Sequence, residues 1–101
     1  MGAGAPRALP AAAVAGLRQA FAQELVERLP RLAAGALTSE LLRDLHALGS
    51  SAYIVGQDEA ARTARATESL LARARDGEPG LEGQVRLQTG RLVVLLRAWA
   101  P

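Results

Sequence analysis

Residues 41–56 read LLRDLHALGSSAYIVG. Leu41, Leu45, Leu48, Ala52 and Val55 recur at steps of three and four, the spacing that lines one side of an α-helix. At about 100° per residue these five positions fall within roughly a quarter turn, which marks the side turned to a core. Thr38 and Ser39 precede the segment as good N-cap residues, so the spacing predicts a helix from about Glu40 to Val55. Gly56 follows in the C′ place, where a left-handed backbone is tolerated. His46 lies well over 100° from the centre of the apolar cluster and projects outward from the middle of this helix.

The pattern extends in both directions. Upstream, Val14, Leu17, Phe21, Leu25, Leu29 and Leu32 form one helical stripe. Pro30 interrupts it, and proline deletes a backbone donor and clashes with the preceding turn, so a kink or break is expected near Leu29. Downstream, Gln57 and Asp58 open a third helix whose inner face is mostly alanine (Ala60, Ala61, Ala64) before Leu71 and Ala74. Asp76 to Gly80 is a turn signal. A last helix carries Leu81, Val85, Leu92, Leu95 and Trp99, weakened by Gly83 and Gly90. No strand pattern competes. Short connections make successive helices antiparallel. The expectation is therefore an all-α chain: an up-down antiparallel four-helix bundle with a short extra N-terminal helical segment near Pro30. Residues 1–10 read as a flexible arm and 11–101 as the bundle.

Composition narrows the function. The chain has 101 residues and no cysteine, which excludes disulfides, thiolate metal sites and a cysteine nucleophile. A single histidine excludes a His-rich metal cluster. All twelve cations are arginine, set against ten acids for a net charge of +2. Those arginines are interspersed with acids, whereas a nucleic-acid binder gathers its cations on one face. No apolar run approaches the ~20 residues of a membrane span, and the first ten residues lack the apolar segment of a secretion signal. A cytoplasmic protein without membrane or nucleic-acid partners is expected.

Chemistry near neutral pH calls for an imidazole, and His46 is the only one. A lone helical histidine is most often surface or core filler, but its place on the wheel argues against the core. Gly49 and Ser50, one turn on, remove bulk beside the ring, and a helix-interior glycine costs about 1 kcal/mol relative to alanine. Arg43, one turn back, can bring a guanidinium near. Leu42 and Tyr53 fall on the same side and suit partner docking. The plainer alternatives are that Leu42 belongs to a wide core stripe and that Tyr53 folds over the third helix.

The run from His46 to Gly56 resembles the active helix of the histidine-containing phosphotransfer (Hpt) family, whose motif is H-x-L-K-G-S/A-A with a glycine at the helix end. His46, Leu48, Ser51, Ala52 and Gly56 match without a gap, and Leu17 to Leu32 is similar to the family's first core helix. The likeness spans roughly residues 14–99. Gly49 stands where the family usually has lysine and Ser50 where it usually has glycine, which leaves Arg43 as the nearest replacement cation. Glu68 falls where the family commonly places a Gln or Glu bonded to the ring nitrogen that is not phosphorylated.

The resemblance implies a phosphorelay intermediate of two-component signalling. His46 would accept a phosphoryl group from an aspartyl phosphate of a response-regulator receiver domain, or from a hybrid sensor histidine kinase, and pass it to another receiver. No Gly-rich phosphate loop, Walker lysine or acidic cluster is present, so neither ATP nor a cofactor or metal is expected. The alternative from the binding class is a helical adaptor that docks a receiver or kinase without being phosphorylated. A monomer is expected, with a dimer through Trp99 and the last leucines as the other possibility.

Overall fold

The computed structural model describes residues 10–99. Four helices follow one another: α1 (Ala11–Ala34), α2 (Ser39–Ile54), α3 (Asp58–Arg75) and α4 (Glu82–Trp99). There is no strand among the described residues. The expected arm lies outside them except for Pro10, whose carbonyl accepts from the Val14 N–H at 3.0 Å as α1 begins.

One local expectation is corrected. Pro30 sits inside α1, so the helix is continuous and the extra segment near Pro30 does not exist as a separate piece. The missing N–H deprives only the Val26 carbonyl of its i→i−4 partner. Val26 is 76% exposed and Pro30 is exposed too, which puts the lost bond on the wet side of the helix. Leu25 and Leu32 are buried on either side. Arg28 and Arg31, flanking the proline, both hold Asp44 of α2, so the two halves of the helix are tied to one point.

Each helix end has a visible cause. Gly35 closes α1 at φ 74 and donates to the Leu32 carbonyl. Thr38 caps α2, its Oγ1 accepting from the Leu41 N–H at 3.1 Å. At the end of α2, Gly56 adopts φ 83, the Gly56 N–H donates to Tyr53 and the Gln57 N–H to Ala52. That pair of bonds is a Schellman closure, and its left-handed residue is glycine because a Cβ there is strained.

The core joins Phe21, Leu25 and Leu32 of α1 to Leu41, Leu45, Leu48 and Ala52 of α2, and to Leu71, Val85, Leu92 and Leu96 beyond. The alanine face of α3 (Ala60, Ala61, Ala64) is buried between its neighbours, and its small side chains admit α2 and α4 closely. Phe21 meets Trp99 with ring centroids 4.8 Å apart, which ties the end of α4 to α1. The buried hydroxyls of Thr67 and Thr89 donate to carbonyls one turn back, at 2.6 and 2.7 Å, so neither is left unsatisfied. No helix is long and apolar enough to cross a membrane among the described residues.

Candidate functional site

The site is built on α2, and the roll of that helix is set by an ion triad. Asp44 is 1% exposed. Arg31 grips it as a fork, Nε to Oδ2 at 2.9 Å and Nη2 to Oδ1 at 2.8 Å, and Arg28 Nη1 also donates to Oδ1. A forked guanidinium–carboxylate pair is strongly directional. The Arg31 hydrogen bond holds the Asp44 carboxyl below its ordinary range against the opposing push of burial, with Arg28 adding to it. Asp44 and His46 are two residues apart, about 200° around the helix. With Asp44 locked inward against α1, His46 has to face the opposite way.

The His46 side chain is 73% exposed, at the middle of a helix capped at both ends. Its Nδ1 lies 3.2 Å from Oε2 of Glu68, on α3. A carboxylate only accepts, so a neutral imidazole in this contact carries its proton on Nδ1 and its lone pair on Nε2. No other side chain or backbone group bonds Nε2 among the described residues. Glu68 is itself 31% exposed and lies beside buried Thr67, so its backbone is fixed while its carboxylate remains wet.

An open depression of about 470 Å³ surrounds the ring, lined by His46, Ser50, Arg65, Glu68, Ser69 and Ala72. Three residues expected from the sequence thus come together here: His46, Ser50 and Glu68. Four do not line it. Arg43 is exposed on α2, outside the depression. Gly49, expected as open space beside the ring, is instead buried at the contact of α2 with α3. An added Cβ there meets Ala64 Cβ and Arg65 Cγ at 3.5 Å, ordinary van der Waals contact, so the position faces α3 and not open space beside the ring. Leu42 is partly buried against the core. Tyr53 is 37% exposed, and the Arg65 guanidinium carbon lies 5.3 Å from its ring centroid.

Arg65 and Asp44 are the residues that sequence reasoning missed. Arg65 sits three residues before Glu68 and therefore on the same face of α3, a spacing readable once Glu68 is placed. It forms no ion pair with a carboxylate among the described residues, and its contact with Tyr53 leaves it at the mouth of the depression. An exposed imidazole with one nitrogen engaged, a guanidinium alongside and two small hydroxyl residues make a site suited to a nucleophile that receives an anionic group.

No curated protein and no solved structure matches the chain. The family model described as "Hpt domain" matches residues 16–98, which takes in all of α2 and α3, most of α1 and all but the last residue of α4. Hpt domains serve histidine phosphotransfer in two-component signalling and interact with receiver domains and kinases. With the helical bundle, the outward imidazole and a match over most of its length, the chain belongs to the Hpt domain family.

Proposed function

We propose that this chain is a phosphorelay intermediate and that His46 carries the phosphoryl group. The observation that supports this best is the pairing of His46 Nδ1 with Glu68 at 3.2 Å on a side chain 73% exposed, which leaves Nε2 as the available nucleophile. In the forward step the Nε2 lone pair forms a bond to the phosphorus of a receiver's aspartyl phosphate. The bond from phosphorus to the aspartyl oxygen breaks, and the receiver's carboxylate leaves with that electron pair. The Nδ1 proton stays on the ring, held by Glu68, and offsets positive charge developing on the imidazole. Transfer onward is the same step reversed with a second receiver.

Phosphoryl transfer depends chiefly on position and on stabilisation of charge. Here α2 supplies position. The charge is met by Arg65, which comes from α3 and lines the depression, in place of the lysine usual where Gly49 stands. As a planar, permanently charged donor it suits phosphate oxygens. Tyr53, under Arg65, and the exposed edge of Leu42 border the site and form part of the docking rim, with Arg43 as a peripheral cation. Such a patch fits a modest, transient interface.

The test is incubation with a receiver domain phosphorylated on its aspartate. Label is expected on this chain, acid-labile, and absent from His46→Gln while the circular dichroism stays helical. Label retained by His46→Gln sinks the assignment.

A further inference from the structure

A groove of about 480 Å³ runs between the end of α1 and α4, away from the His46 site. Its lining comes from α1, the α1–α2 turn and α4 alone, and none of it from α3 or from the part of α2 that carries His46. Buried Leu32, Thr89 and Val93 form the floor, and exposed Val94 stands on one wall. Gly90 lies in the middle. A Cβ built at Gly90 meets nothing within 4 Å, so the packing of this chain gives no reason for a residue that costs its helix about 1 kcal/mol. Any larger side chain there narrows the groove.

Charge marks the two ends. Arg86 and Arg97 both line the groove and are separated by eleven residues, about 16 Å of helix rise. Neither has an ion pair among the described residues, whereas Arg28, Arg31, Arg73 and Arg91 each reach a carboxylate. No acidic residue lines the groove.

We infer that this groove is a second docking surface, built for an acidic amphipathic helix of a partner protein. Small or apolar residues of that helix lie over Gly90 and Val94, and carboxylates about three turns apart meet Arg86 and Arg97, the helix-in-groove mode of recognition. Sign decides the occupant. A second copy laid symmetrically on α4 opposes arginine with arginine. Residues 1–9 of the chain carry Arg7 and no acid. Because the groove and the His46 depression share no residue, a partner held here leaves His46 accessible to a receiver.

The experiment is amide NMR of the full chain with two 18-residue helical peptides. They share one leucine/alanine stripe and differ only in flanking glutamates or lysines. The glutamate peptide is expected to shift Gly35, Thr89, Gly90 and Val94, and to bind at least about tenfold tighter than the lysine peptide in low salt, where exposed charges are least screened. The double variant Arg86→Glu/Arg97→Glu is expected to invert that preference. Gly90→Leu should abolish binding with no loss of helix content or thermal stability, and His46→Gln should bind as the parent does. The two arms thus separate a failure of this surface from a failure of His46 as acceptor. Equal binding of both peptides, shifts confined to α2 and α3, no shift at all, or a dimer in sedimentation that covers the groove overturns the inference.

Discussion

Replacing Asp44 by asparagine keeps the shape of the triad and removes its charge. Asp44 is 1% exposed, while the side chains of Arg28 and Arg31 are 26% and 41% exposed. Breaking a fully buried pair costs about 3–5 kcal/mol, most of it from the charge left without a partner. Here the stranded charges are arginines that can rehydrate, so the cost falls to about 1–2 kcal/mol. For a domain near 100 residues that is a fall in Tm of roughly 5–15 °C. The pH dependence gives a sharper check. The folded-state pKa of Asp44 lies below its ordinary value of 3.8, so the unfolded chain binds the proton more readily than the folded one. The stabilisation is then complete above about pH 4 and is lost as pH falls through the folded value. Urea unfolding followed by circular dichroism should show the parent more stable than Asp44→Asn at pH 7, with the gap closing in the range below pH 4. A gap that stays constant down to pH 2, or no gap at pH 7, refutes the triad as the lock on α2.

Other substitutions separate the roles around the ring. Glu68→Gln still offers an oxygen to Nδ1–H and should keep most of the transfer rate. Glu68→Ala removes the contact and should slow transfer about two- to fivefold, the equivalent of an exposed hydrogen bond of roughly 0.5–1 kcal/mol, with the imidazole ¹⁵N shifts reporting loss of the Nδ1–H tautomer preference. Arg65→Ala should slow transfer from a phosphorylated receiver while Arg65→Lys restores it in part, and an Arg43→Ala variant slower than Arg65→Ala would put the cation on the wrong helix. Pro30→Ala should raise stability by up to about 3 kcal/mol in urea melts, the net difference between proline and alanine in a helix interior. A loss of stability there contradicts a continuous α1.

The parts of this fold that can be read from the sequence are those decided within one helix. The stripe Leu41, Leu45, Leu48, Ala52 places α2, Gly56 ends it, and the same wheel turns His46 outward, as the structure has it. Pro30 misleads because the rule against proline counts a lost hydrogen bond without knowing which side of the helix loses it. That side is set by packing of Leu25 and Leu32 and by Asp44, sixteen and thirteen residues beyond its two arginines. Gly49 misleads for the same reason: a wheel shows it near His46 and does not show that α3 closes over it. Glu68 is legible only through the family likeness, and Arg65 is not legible at all, because an interspersed arginine carries no signal until α3 is laid beside α2.

Asp44 and His46 show why the outward histidine needs an inward acid. Apolar contacts alone permit a helix to roll by tens of degrees, since leucines at 41, 45 and 48 tolerate neighbouring positions in the same core. A forked ion pair has no such latitude, because its hydrogen bonds weaken steeply as they bend. With Arg31 bonded to both Asp44 oxygens, a roll of α2 that carried His46 away from Glu68 would first have to open a contact whose carboxylate is 1% exposed. The 3.2 Å spacing of the imidazole from Glu68 is an exposed and individually weak contact. Its persistence therefore depends on the buried triad across the helix, and Asp44→Asn should loosen the His46 ¹⁵N tautomer signature even at pH 7, where the bundle remains folded.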